Sequence, residues 1–140
     1  MTNDTVMNEN EIRYKAVLSE IYEKTLKPAG FRKYGGNFRR FTKSAIFTTG
    51  QLISFRREIK DESVSFTVLL CKKSSFNDEP DASFNTSDCV IPEKAYLSEL
   101  SDGPNACRHW VINGNTNASA LSQELSGLIK TYAFPWLRLE

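Results

Sequence analysis

The sequence predicts an α+β fold: an antiparallel β-meander covered on one face by an N-terminal and a C-terminal helix. Three observations predict it, namely apolar residues at helical spacing early in the chain, alternating β-favouring runs in the middle, and a second helical stripe near the end. The chain has 140 residues, of which 40% are hydrophobic and 25% charged. That balance excludes fibrous and wholly disordered chains and suits one domain over residues 9–140 behind a disordered tail, residues 1–8.

From Glu9 to Lys27 the residues Tyr14, Val17, Leu18, Ile21 and Tyr22 form the apolar stripe of the first helix. Asn8 and Glu11 have capping-box spacing, Pro28 disfavours helical geometry at Lys27, and Gly30 permits a sharp reversal. After Gly35-Gly36 the period falls to two in three runs: Phe38 to Phe41, Ile46 to Ile59 with Gly50 as a candidate bulge, and Ser63 to Cys71. Val64, Phe66, Val68 and Leu70 share one face of the third run. Phe55 and Val68 then meet on that face only if the hairpin loop near Lys60 to Glu62 holds an even number of residues, which turns Arg56 to the opposite, solvated face. Residues 72–88, rich in Ser, Asn, Asp and Pro, read as a long loop ahead of a short Cys89-Val90-Ile91 segment. Tyr96, Leu97 and Leu100 are compatible with a helical turn, and Cys107 to Ile112 is strand-like after an Asp102-Gly103-Pro104-Asn105 turn. The second helix runs from about Ala118 to Tyr132 with Leu121, Leu125, Leu128, Ile129 and Tyr132 buried, and Pro135 restarts a short final segment.

Ser19-Glu20-Ile21-Tyr22, Leu26-Lys27-Pro28-Ala29-Gly30-Phe31-Arg32-Lys33 with Phe38, Ile53-Ser54-Phe55, Phe66-Thr67-Val68 and Asp88-Cys89 follow one another in order. Leu97-Ser98-Glu99-Leu100, Trp110-Val111-Ile112 and Tyr132-Ala133-Phe134-Pro135-Trp136-Leu137 complete the series. Together they resemble the bacterial family known as domain of unknown function 4304, over most of the chain. The resemblance implies a small cytosolic bacterial α+β protein and supplies no catalytic residues. It also suggests an immunity or accessory role.

The polar N-terminus lacks the pattern of a signal peptide, and no apolar run approaches the roughly 20 residues a membrane span needs. An odd set of cysteines, Cys71, Cys89 and Cys107, without CxxC spacing points to a reducing compartment, so a cytoplasmic location is expected. His109 is the only histidine, which excludes two-histidine zinc sites. A Cys₃His site lacks knuckle spacing, and a Cys107–His109 dyad would span roughly 7 Å on one strand face with no orienting group. Neither metal nor cofactor is expected. Gly30 and Gly35 have P-loop separation, but Gly36-Asn37 replaces the required Lys-Ser/Thr.

Charge is the strongest signal outside the core. Residues 1–73 carry 14 basic and 8 acidic side chains, whereas residues 74–140 carry 4 and 9. Between Lys24 and Arg57 there is no Asp or Glu. Lys33, Arg39, Arg40, Lys43, Arg56 and Arg57 are the candidate binding residues for an anionic partner, because the guanidinium fork matches carboxylates and phosphates. Trp110 is added as a candidate interface anchor, against its alternative as a core residue under a helix. The expected activity is non-enzymatic binding of an acidic protein. Nucleic acid is the alternative on the same strip, although Lys33 to Phe38 does not follow the RNA-stacking pattern, and a small enzyme using Cys107 or an acidic cluster is the third reading. The contrasting account of the strip is internal compensation by the acidic second half.

Overall fold

The computed structural model describes residues 8–43, 47–76, 93–103 and 108–138. Asn8 caps helix α1 (Glu9–Ile21) through the predicted box: its Oδ1 accepts from the Glu11 N–H at 2.8 Å while its own N–H donates to Glu11 Oε1 at 3.2 Å. The helix widens into a π turn (Tyr22–Leu26) before ending. The Lys27 N–H reaches back five residues to Tyr22 O at 2.7 Å, immediately ahead of Pro28. Widening gives the pyrrolidine ring room that an ordinary turn denies it, and proline's missing N–H then ends the ladder. Gly30, at φ 96°, takes the reversal.

The sheet follows as β1 (Arg32–Tyr34), β2 (Asn37–Lys43), β3 (Phe47–Lys60) and β4 (Ser63–Phe76), each antiparallel to the next. On the far side of β4, β5 (Lys94–Tyr96) pairs with residues 69–71 and β6 (Trp110–Ile112) with residues 64–66. Lys60 pairs with Ser63 across a two-residue turn, Asp61-Glu62, whose φ values of 52° and 68° match a hairpin of the type I′ kind. The loop is even, and Phe55 stands opposite Val68 as the alternation requires.

Three expectations for this region are corrected. Gly50 is not a bulge; it pairs in register with Phe41 on one side and Lys73 on the other. Residues 72–76 are not loop but the end of β4, because β3 continues opposite them as far as Phe47. The face opposite the helices is not solvated throughout: Leu52 and Cys71 form a small buried cluster there, while Arg56 is exposed on it as predicted. The remainder of the proposed 72–88 loop, the Cys89-Val90-Ile91 segment and Cys107 lie outside the described residues.

A helical turn does occur near Leu100, as α2 (Leu97–Asp102), with β5 leading into it. Asn117 caps α3 (Ala118–Leu128), its Oδ1 accepting from the Ala120 N–H at 3.0 Å. This helix also passes through a π turn (Ile129–Ala133), the Phe134 N–H bonding Ile129 O just before Pro135, and continues without a break into α4 (Phe134–Leu137). Pro135 therefore extends the helix rather than restarting a segment. Both π turns serve the same need, since each stands one residue ahead of a proline.

The core lies between the helices and one sheet face. Phe38, Ile53, Phe55, Phe66, Val68 and Leu70 from the sheet meet Tyr14, Val17, Leu18 and Ile21 of α1 and Leu125, Ile129 and Leu137 of the C-terminal helices. Thr25 Oγ1 donates to Ser126 Oγ at 2.9 Å, which ties the N-terminal helix to α3.

Candidate functional site

Strand alternation disperses the basic strip. Arg39 lies on the face away from the helices, 6% exposed, its guanidinium 4.6 Å from the centroid of the Tyr34 ring. Lys43 and Arg56 are exposed on that same face. Arg57 is on the helix side, 5.6 Å from the Tyr14 ring centroid and 3.9 Å from Glu11 Oε2. Lys33 is exposed beside the β1–β2 turn. Trp110 is 4% exposed and stacks on Phe66 at 5.9 Å, with Arg108 over its other surroundings at 4.9 Å, so it is a core residue.

Arg40 alone of these enters a concave site of about 510 Å³, and there it meets cations from distant parts of the chain, Lys72 and Arg138; Lys73 borders the site, but strand alternation turns its side chain to the opposite sheet face with Cys71. Thr42, Thr49 and Ser74 add hydroxyls to the walls, and Glu93 is the single carboxylate among the lining residues. The sheet supplies one wall because Arg40, Gln51 and Lys72 share a face on three adjacent strands, Arg40 opposite Gln51 and Gln51 opposite Lys72. The end of the C-terminal helix supplies the other.

Gln51 is the junction. Its Nε2 donates to Leu137 O at 2.8 Å, while its Oε1 accepts from Arg40 Nη1 at 3.0 Å and from Thr42 Oγ1 at 3.3 Å. Lys72 Nζ donates to Trp136 O at 2.8 Å and sits 4.2 Å from the Trp136 ring centroid. These two side chains satisfy carbonyls that a helix end leaves without intrahelical partners, and the ammonium suits the negative end of the dipole. Arg138 caps the helix in the left-handed region, at φ 62°. The Lys72 pKa is lowered, first by desolvation and then by the charge of Arg138, against the opposing pull of Glu93. Crowded cations in a partly desolvated cleft favour an incoming anion.

Among the described residues no group of three or more His, Cys, Asp or Glu side chains is placed to hold a metal ion, and no helix is long and apolar enough to cross a membrane. Lys72 and Arg138 escaped the sequence reading because they lie outside the acid-free stretch. The one available signal was the continuation of the β4 alternation past Cys71 into Lys72 and Ser74.

A family model described as a domain of unknown function (DUF4304) matches residues 22–139. The chain belongs to this family. No curated protein and no solved structure matches it. The DUF4304 match spans every residue of the cationic cleft, whereas α1 through Ile21 precedes it.

A second property of the DUF4304 protein arises where α1 packs on the sheet. Burial pushes the Tyr14 phenol up from 10.0 to about 12, with Arg57 pulling the other way. A folded-state pKa above the unfolded one contributes stability that is present below pH 10 and lost as pH rises towards 12. The loss amounts to about 2–3 kcal/mol. Tyr14→Phe is expected to flatten this part of the pH–stability curve in urea unfolding; an unchanged slope would place the alkaline transition elsewhere.

Proposed function

We propose that this protein is a non-enzymatic binding module of the bacterial cytoplasm that holds an acidic segment of a partner protein in the cleft of Arg40, Lys72 and Arg138. The observation that carries this reading is the charge imbalance of the cleft, three cations around about 510 Å³ with Glu93 as the lone carboxylate among the lining residues. The arginine forks and the hydroxyls of Thr42, Thr49 and Ser74 suit carboxylate oxygens. An aromatic platform for stacking bases favours nucleic acid, and the Trp136 ring beside the cleft already carries the Lys72 ammonium. That contrast supports a protein ligand. Cys71, a buried cysteine, fits a reducing compartment.

A photoreactive benzoylphenylalanine at Thr42, on the cleft wall, tests the reading in cells of the source organism, with the same group at exposed Ser119 as the control. The expected result is an adduct with an acidic segment of one protein, formed from position 42 and absent from position 119. Adducts with RNA or DNA would replace this reading by the nucleic-acid one, and no adduct specific to position 42 would overturn it.

A further inference from the structure

A second concave site, about 380 Å³, opens between α1 and the turn joining β1 to β2, sharing no lining residue with the cationic cleft. Its inner surface is apolar: Tyr14 and Leu18 project from α1, and Phe55 from β3. Its rim is basic, with Lys15 from the helix, Lys33 from β1 and Arg57 from β3. We propose that this cavity binds a small molecule with a flat apolar body and one anionic group, of the aryl carboxylate class.

Three features support that chemistry. The turn lining the cavity is Gly35-Gly36, so no side chain covers the opening. Gly36 is held there by backbone contact: the Phe55 N–H donates to Gly36 O at 2.8 Å, and a Cβ on Gly36 would come within 3.0 Å of Phe55 O. Second, the aromatic walls are fixed by the core behind them, since Tyr14 and Phe55 both pack on Phe66, at 5.3 and 5.8 Å between ring centroids. A rigid, preformed apolar slot loses little on binding a flat ring, and the volume falls within the roughly 300–1,000 Å³ of small-molecule sites. Third, the rim charge is largely uncompensated. Glu11 approaches Arg57 at 3.9 Å, but Lys15 and Lys33 make no ion pair among the described residues.

The cavity and the cleft are independent, so failure of one leaves the other standing. Titration of ¹⁵N-labelled protein with phenylacetate at low salt, in parallel with phenylacetamide and with acetate, tests the proposal. Saturable shifts of the Gly35, Gly36 and Lys15 amides are expected with phenylacetate and not with the other two. The double variant Lys15→Gln, Lys33→Gln, both exposed positions, is expected to weaken phenylacetate about tenfold or more with the rest of the spectrum unchanged. Equal response to phenylacetamide would show an apolar slot without anion recognition and would overturn the proposal. So would the absence of saturable shifts at these amides, or shifts confined to the Arg40 cleft.

Discussion

Reversing Arg138 to Glu is expected to weaken the acidic partner about tenfold, while the melting temperature stays within a few degrees. This is the informative position because the other two cations also hold the fold. Arg40 bonds Gln51, and Lys72 satisfies the Trp136 carbonyl, so reversal there would loosen the contact between sheet and helix end as well as the ligand. Arg138 is exposed and its side chain lines the cleft without such a contact among the described residues. The check is fluorescence anisotropy with the acidic segment recovered through position 42, at two salt concentrations. Rim charges act over a Debye length of about 8 Å at physiological ionic strength, so the wild-type advantage should shrink as salt rises. Equal affinity of variant and wild type would remove the cleft from the binding surface.

Phe66→Ala is expected to cost about 3–5 kcal/mol, a large share of the roughly 5–15 kcal/mol that holds a domain of this size. Phe66 is 1% exposed and is the hub of the aromatic core, its ring within 6 Å of those of Tyr14, Phe55 and Trp110. Alanine leaves a cavity bounded by three rigid rings anchored on separate elements, which limits collapse. Phe66→Leu keeps most of the volume and is expected to lose only about 1–2 kcal/mol. Urea midpoints measure both, and a loss below about 1 kcal/mol for alanine would contradict the packing described.

The long elements were legible because they bury one face. Asn8 and Glu11 marked the start of α1, and the alternation of Val64, Phe66, Val68 and Leu70 named the buried face of β4 and, through the parity of the turn, the Phe55–Val68 pair. β1 and β5 escaped because three residues are too few to display a period. The π turns escaped because a proline reads as a helix break, whereas widening by one residue lets the C-terminal helix carry through Pro135. The cationic cleft was legible only at Arg40. A run of cations is counted along the chain, but Arg39 and Arg40, or Arg56 and Arg57, point to opposite faces of one strand, so neighbours in sequence part company in space. The partners of Arg40 come instead from β4 and the last helical turn, brought together by register and by the helix end.

β1 is the terminal strand of the sheet, and all three of its residues are exposed. Its outer backbone groups would template another strand, the usual route from a sheet to self-association. Two copies pairing antiparallel about Lys33 would set lysine directly against lysine and flank the pair with the two Arg32 side chains, an arrangement that like charges oppose. Positive charge on β1 thus guards the open border of the sheet, keeping concentrated molecules from stitching themselves into a continuous ribbon.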